Sequence, residues 1–184
     1  MERVICLFIG YVFGLFQTAY FYGKTKGIDI RKYGSGNAGT TNALRVLGTK
    51  AGLIVFAGDC LKCIIAVCIT RALFSTGHPE NIYLLCLYTG AGSIIGHNFP
   101  FYMGFKGGKG IAATAGLILS FHPYFIVMGV VLFFGAFLTT HYVSLGSLLV
   151  YAGFMIQMVV YGQMGLFGAM PQSQLYEMLS LIHI

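Results

Sequence analysis

A series of long apolar segments constrains the fold of this chain more than any other feature. The segments cover residues 4–22, 51–74, 82–95, 111–120, 124–139 and 145–161, and a further apolar run covers residues 175–184. A helix that crosses a bilayer needs about 20 mostly apolar residues. Of the 184 residues, 57% are hydrophobic and only 9% are charged, whereas soluble domains carry about 25% charged residues. The sequence therefore predicts an all-α, polytopic membrane helical bundle.

Local signals predict where some of these segments begin and end. Proline disfavours helix at the preceding residue, so Pro123 predicts a tight hairpin between the fourth and fifth segments. The third segment is short, and we expect its helix to extend past Gly96. The first segment has no small-residue cleavage pattern before Lys24, which favours one retained spanning helix over a signal peptide. Gly10 and Gly14 form a pair that is typical of close helix packing.

Positively charged residues are concentrated in two of the loops. Residues 23–50 and 96–110 hold eight lysines and arginines: Lys24, Lys26, Arg31, Lys32, Arg45, Lys50, Lys106 and Lys109. If every segment spans, these loops and residues 140–144 share one face. The positive-inside bias places that face in the cytoplasm and the N-terminus outside. A nucleic-acid surface is not expected, because the charge lies in short loops between apolar spans.

The first glycine-rich loop, GSGNAGTTN at residues 34–42, has the composition of an anion site. Its GxGxxG pattern is no dinucleotide fingerprint, because no strand precedes it and Asp59 lies inside a spanning segment. A short helix is predicted over residues 43–47, closed by Gly48, with Thr41 or Asn42 as its cap. A helix N-terminus beside a glycine turn attracts phosphate. Arg45, one turn into the helix, can contact phosphate with two donors.

The second glycine-rich loop, GHNFPFYMGFKGGKG at residues 96–110, predicts another phosphate site. Lys106 and Lys109 flank a Gly-Gly pair, and a helix is expected to begin at Ile111. The loop is no Walker A motif, because glycine rather than serine or threonine follows Lys109. His97 is either a general base or a structural residue that holds the loop, and the sequence leaves both open.

Other polar residues have weaker assignments. Asp59 and Lys62 are three apart in an apolar segment, and we expect a structural ion pair rather than a direct substrate contact. Ser144, in a third inward stretch, is expected either to donate a hydrogen bond to a shared phosphate or to cap a helix. The inward loops hold only one carboxylate, at Asp29, so no metal and no other cofactor is expected.

The two glycine-rich loops closely resemble the first two signature motifs of a known family, the bacterial acyl-phosphate:glycerol-3-phosphate acyltransferases. The matching stretches are GSGNAGTTN with Arg45, and GHNFPFYMGFKGGKGIAAT, in the family's order and spacing. The resemblance runs over about residues 1–165. It implies a multi-pass enzyme of the bacterial cytoplasmic membrane with seven transmembrane helices, of which this chain would hold about six and a partial seventh.

The resemblance also implies an activity in phospholipid biosynthesis. The enzyme would transfer a fatty acyl group from acyl phosphate to the 1-hydroxyl of glycerol 3-phosphate, giving lysophosphatidic acid and phosphate. Its partners would be glycerol 3-phosphate, an enzyme that supplies acyl phosphate, and membrane lipids. Ser35 and Arg45 match residues needed for catalysis. Motif positions and local chemistry together make these the candidate substrate-binding residues: Gly34, Gly36, Asn37, Gly39, Thr40, Thr41, Asn42, His97, Lys106, Gly107, Gly108, Lys109, Gly110 and Ser144.

One departure from the family concerns the end of the chain. The family's third motif, a stretch with His, Asn and Arg after the seventh helix, has no counterpart before the terminal LSLIHI. We therefore expect residues 1–184 to form a single transmembrane acyltransferase domain whose C-terminal end is incomplete. The alternative function is a small transporter or channel for an anionic phosphorylated solute. It predicts charged residues facing a pore from several helices, and only Asp59 and Lys62 qualify.

Overall fold

The protein is a helical bundle in a computed structural model that describes residues 1–168 and 171–183. These residues form nine α-helices: α1 (Glu2–Gly14), α2 (Thr18–Thr25), α3 (Thr40–Leu47), α4 (Thr49–Phe74), α5 (Ile82–Asn98), α6 (Ile111–Phe121), α7 (Pro123–Thr140), α8 (Val143–Gln163) and α9 (Gln172–His183). Within these described ranges, four stretches are long and apolar enough to cross a membrane: Glu2–Thr25, Thr49–Phe74, Pro123–Thr140 and Val143–Gln163. The predicted all-α membrane architecture is confirmed.

The boundaries of the central helices follow the sequence signals. Helix α5 continues past Gly96 to Asn98, as predicted. The hairpin at Pro123 is also confirmed: α6 ends at Phe121, and His122 is extended with a φ of −158°. The main-chain N–H of Tyr124 donates to Nδ1 of His122 over 3.4 Å, which caps the start of α7.

The first spanning segment is broken, so the prediction of one continuous helix over residues 4–22 is wrong. Helix α1 ends at Gly14 and α2 begins at Thr18. The break leaves main-chain carbonyls without helical partners, and lipid offers none. Nζ of Lys62 donates to the carbonyls of Gly14 (3.2 Å) and Phe16 (2.6 Å). A side chain of α4 therefore replaces the hydrogen bonds that the broken helix loses.

Helices α1 and α5 touch along their backbones. Four glycines make this possible, and a Cβ atom on any of them would overlap a main-chain oxygen of the facing helix: Gly10 at Thr89, Gly14 at Ser93, Gly92 at Leu7 and Gly96 at Tyr11. Small residues at such spacing allow close packing in membranes. The pair in α1 was expected, while the matching pair in α5 emerges only from the structure.

The remaining helices complete the bundle around this pair. Helix α6 packs on α4, where Gly116 lies against the main chain of Cys60 and the Cys60 thiol donates to the carbonyl of Ala112 over 3.1 Å. Helix α8 packs on α7 and α9. Both glycine-rich loops lie at one end of the bundle, because Gly108 of the second loop lies against the carbonyl of Ala38 in the first.

Valine at Gly92 should destabilise the protein strongly. The added side chain has to push α1 and α5 apart, and overpacking of a closed contact costs about 1–3 kcal/mol. The measurement is the unfolding midpoint of Gly92→Val in detergent. Gly135→Val is the matched control, because Gly135 is also helical but has nothing within 4 Å of its Cβ position. Equal midpoints for the two variants would contradict backbone contact between α1 and α5.

Candidate active site

The first glycine loop, residues 34–42, is held in shape by a buried asparagine. Asn42 is only 1% exposed, and its Oδ1 accepts from the main-chain N–H of Ser35 over 2.9 Å. Its Nδ2 donates to the carbonyls of Ile30 (3.2 Å) and Tyr33 (3.0 Å). Gly34 has a φ of 60°, a left-handed conformation that glycine adopts without strain. The side-chain amide of Asn42 therefore holds the loop in one ordered turn.

The helix after this loop begins earlier than predicted. Helix α3 starts at Thr40 rather than at residue 43, its N-cap is Gly39, and no side-chain cap hydrogen bond is made. The expectation that Thr41 or Asn42 caps the helix is wrong, because the amide of Asn42 is committed to the loop. The predicted end is confirmed, with Gly48 at a φ of 86°.

Of the predicted second loop, residues 96–98 belong to α5, and residues 104–110 (the second glycine loop) fold back onto the end of that helix. The main-chain N–H of Gly107 donates to the carbonyl of Asn98 over 3.0 Å, and that of Gly108 donates to the carbonyl of His97 over 3.1 Å. Gly110, with a φ of 75°, is the N-cap of α6. This loop therefore also leads directly into a helix N-terminus.

The two loops touch each other. A Cβ on Gly108 would lie 2.9 Å from the carbonyl oxygen of Ala38 in the first loop and would overlap the imidazole of His97. Nearby, Nη1 of Arg31 lies 3.5 Å from the carbonyl of Met103, just before the second loop. The close fit requires glycine at position 108 and brings two helix N-termini to one place.

Arg31 also forms an ion pair with Asp29, and this pair persists at neutral pH. Nη2 of Arg31 lies 2.8 Å from Oδ2 of Asp29, and its Nε lies 3.0 Å from Oδ1. The hydrogen bond from Arg31 lowers the pKa of Asp29 to about 2. The Arg31 guanidinium also stacks 5.1 Å from the ring centroid of Tyr20. The segment before the first loop is therefore held by this ion pair and by the side chain of Ile30, which is fully buried in a hydrophobic cluster.

The candidate side chains differ in their exposure. Five of those predicted to meet substrate are exposed on the two loops or on α3: Ser35, Thr41, Arg45, Lys106 and Lys109. Ser144 is exposed at the start of α8, a helix that packs on α7 and α9. Within the described residues, Ser144 makes no side-chain hydrogen bond to either glycine loop. The structure thus brings the two loops into contact, whereas the role expected of Ser144 stays a prediction.

A buried polar cluster lies beneath the second glycine loop. Nζ of Lys62 lies 3.2 Å from Oδ1 of Asp59 and 2.7 Å from Nδ1 of His97. The hydroxyl of Thr18 donates to Oδ1 of Asp59 over 2.9 Å. Gln17, at the α1–α2 break, donates from Nε2 to the carbonyl of His97 over 2.9 Å. The side chains of Asp59, Lys62 and His97 are at most 4% exposed.

Sequence reasoning did not select Gln17 or Thr18. A signal was present, because they are adjacent polar residues inside an apolar segment, and such residues usually face the bundle interior. Both are buried: Gln17 is 0% exposed and Thr18 is 9% exposed. Their partners lie on α4 and α5, so the pairing itself could not be predicted from the first segment alone.

The profile of the glycerol-3-phosphate acyltransferase family matches residues 4–183. This chain belongs to that family. A glycerol-3-phosphate acyltransferase of Thermoanaerobacter sp. (strain X514) is 42% identical over 150 residues, which cover 80% of this chain and 72% of that protein. A crystal structure of PlsY (YgiH), an integral membrane glycerol 3-phosphate acyltransferase in its glycerol 3-phosphate form, is similar with a TM-score of 0.80 and 30% identity. Its lysphosphatidic acid form gives a TM-score of 0.77 at 29% identity.

The likeness to this glycerol-3-phosphate acyltransferase structure extends over the whole fold. Both comparisons cover 100% of this chain and 87% of the solved chain. The resemblance carried by the two loop motifs is confirmed, as is the multi-pass integral membrane architecture. The glycine loops and the buried cluster therefore belong to a membrane acyltransferase.

Aspartate at Asn42 should loosen the first glycine loop. The substitution keeps the shape of the side chain and one acceptor oxygen but removes the amide hydrogens that bond to two buried carbonyls. Leaving a buried polar group without a hydrogen bond lowers the free energy of unfolding by about 1–3 kcal/mol. The measurement is the free energy of unfolding of Asn42→Asp in detergent. Thr41→Ala, an exposed change on the same loop, should stay within about 0.5 kcal/mol. A variant as stable as the parent would refute the role of this amide.

Proposed function

We propose that this member of the glycerol-3-phosphate acyltransferase family uses acyl phosphate as its acyl donor and acylates the 1-hydroxyl of glycerol 3-phosphate. The products are lysophosphatidic acid and phosphate. The supporting observation is that two glycine loops, each leading into a helix N-terminus, touch at Ala38 and Gly108. Such ends attract phosphate, and each of the two substrates carries one.

Each loop takes one substrate in this proposal. The second glycine loop binds the phosphate of glycerol 3-phosphate through its main-chain N–H groups and the ammonium groups of Lys106 and Lys109. The first glycine loop, with Ser35 and Arg45, binds the acyl phosphate. Lysine acts as a point charge on phosphate, whereas arginine offers two parallel donors. Exposure of all four side chains supports these roles.

The reaction needs positioning and charge stabilisation rather than a protein nucleophile. The hydroxyl oxygen attacks the carbonyl carbon of acyl phosphate, and a tetrahedral oxyanion forms. The bond from that carbon to the phosphate oxygen then breaks, with phosphate as the leaving group. The hydroxyl proton passes to a substrate phosphate. Arg45 and the hydroxyl of Ser35 stabilise the developing negative charge.

We propose an orientation in which the glycine loops face the cytoplasm and the N-terminus lies outside. Eight of the lysines and arginines lie in the two loop regions, in accord with the positive-inside bias. In this orientation glycerol 3-phosphate enters from the cytoplasm, while acyl phosphate reaches the loops from the bilayer. The transporter alternative loses its main support, because Asp59 and Lys62 bind each other and main-chain groups rather than lining a channel.

An assay with purified protein tests this function. Acyl phosphate and radiolabelled glycerol 3-phosphate should give lysophosphatidic acid, while acyl-CoA as donor should give none. Product formation from acyl-CoA at the same rate would contradict the proposed donor, and an acyl group trapped on Ser35 would contradict direct transfer.

Loop variants test the residue roles. Lys106→Met or Lys109→Met should raise the KM for glycerol 3-phosphate about tenfold or more, because a charge-assisted hydrogen bond contributes about 1.5–3 kcal/mol. Arg45→Met should lower kcat about a hundredfold, as loss of an oxyanion donor does. Lys26→Met, an exposed lysine outside both glycine loops, is the control and should leave both constants unchanged. Unchanged constants for the loop variants would refute the assignment.

A further inference from the structure

The proposed reaction does not use the buried cluster of Gln17, Thr18, Asp59, Lys62 and His97. Charged groups inside a membrane bundle are costly unless they are paired. Here every member contacts another member or a main-chain carbonyl: Lys62 alone reaches two carbonyls, a carboxylate and an imidazole. This cluster lies at the end of α5, directly under the second glycine loop, and within the described residues it leaves Oε1 of Gln17 and Oδ2 of Asp59 buried without a hydrogen-bond partner.

The donors of Lys62 determine the protonation of His97. An ammonium carries three hydrogens and has no acceptor site. The carbonyls of Gly14 and Phe16 can only accept, and together with Nδ1 of His97 they are the three hydrogen-bond partners of Nζ, while Oδ1 of Asp59 lies at ion-pair distance, 3.2 Å away. Nδ1 of His97, 2.7 Å from Nζ, therefore accepts a hydrogen bond. A neutral imidazole with an accepting Nδ1 carries its hydrogen on Nε2.

The Nε2 atom of His97 points at the second glycine loop. A Cβ on Gly108 would overlap Nε2 and would lie 2.9 Å from Cε1 of the same ring. Among the described residues, Nε2 has no hydrogen-bond partner, although His97 is only 2% exposed. Nε2 is not one of the fully buried atoms that lack a partner, so this donor beside a glycine turn remains open to an acceptor from outside the chain.

The main chain of His97 is held by the same contacts. Its carbonyl accepts from Nε2 of Gln17 over 2.9 Å and from the N–H of Gly108 over 3.1 Å. The imidazole can therefore neither rotate with its backbone nor exchange Nδ1 for Nε2 without losing the bond to Lys62. The position of the ring and its tautomer are fixed together.

We propose that His97 is a hydrogen-bond donor to the phosphate held by the second glycine loop, and that Lys62 is the positioning residue that keeps Nε2 protonated. The inference rests on the proposed function for the identity of the ligand, glycerol 3-phosphate. It assigns His97 a donor role in binding and excludes the general-base role at Nε2. Lys62 acts on the substrate only through this ring.

The tautomer of His97 is measurable without turnover. Side-chain nitrogen-15 NMR of histidine-labelled protein, with the His97 signals identified by their loss in His97→Asn, should show a protonated Nε2 and an unprotonated Nδ1. Lys62→Met should convert this signal to the other tautomer or to a mixture. Added glycerol 3-phosphate should shift the Nε2 signal. A protonated Nδ1 in the parent protein, or no shift at saturating glycerol 3-phosphate, would overturn the proposal.

The KM values of variants distinguish a positioning role of Lys62 from a purely structural one. Lys62→Met and His97→Leu should each raise the KM for glycerol 3-phosphate at least tenfold while the KM for acyl phosphate changes less than twofold. His97→Asn, which retains a neutral donor, should recover part of the loss. Arg71→Met is the control, because Arg71 is the other partly buried cation of α4 and also binds carbonyls, those of Ser120 and Phe121. It should lower the unfolding midpoint without changing either KM.

The two proposals can fail separately. Equal changes in both KM values for Lys62→Met, or a loss of stability alone, would reduce Lys62 to a structural residue. If Lys62→Met does not fold, the comparison of His97→Leu with His97→Asn decides the donor role. A parent protein that makes no lysophosphatidic acid but whose protonated Nε2 responds to glycerol 3-phosphate would refute the acyl-phosphate reaction and support the donor role of His97.

Discussion

The absence of hydrogen-bond partners in lipid is the constraint on which this structure depends most. A helix that breaks within a membrane exposes main-chain carbonyls, and these groups need partners from within the protein. The break between α1 and α2 meets this requirement with the ammonium of Lys62 and the amide of Gln17. Gln17 also donates to the carbonyls of Gly96 and His97. The break is therefore tied to the end of α5, the helix that the glycines hold against α1.

The same contacts connect the membrane interior to the glycine loops. The carbonyl of His97 accepts from Gln17 at the break and from Gly108 in the second loop, while Gly108 lies against Ala38 of the first loop. A continuous set of short contacts thus runs from a discontinuity in the first span to the place where both loops meet. Preorganisation of this kind suits a reaction in which charge has to be stabilised and substrates aligned.

Much of the architecture could be predicted because its causes are local. Apolar run length indicates spanning helices, Pro123 ends a helix through its own ring, and Gly48 terminates α3 through its backbone freedom. The errors concern residues whose partners are distant in the chain. Hydropathy counts residues 4–22 as one span, whereas the break is stabilised by Lys62, more than 40 positions away. Asn42 has the chemistry of a helix cap, yet the folded loop offers its amide better partners at Ser35, Ile30 and Tyr33.

The residue sequence is enough to predict that this chain is a membrane helical bundle, that its cationic glycine loops lie between apolar spans, and which family it resembles. Those properties depend on composition and on short motifs, which act over a few residues. Contacts between distant residues come from the fold: Ala38 meets Gly108, and Lys62 bonds to His97 as well as pairing with Asp59. Polar groups buried within a membrane need hydrogen-bond partners from the protein, and the fold brings those partners within reach. The partners therefore depend on contacts between helices rather than on neighbours in sequence.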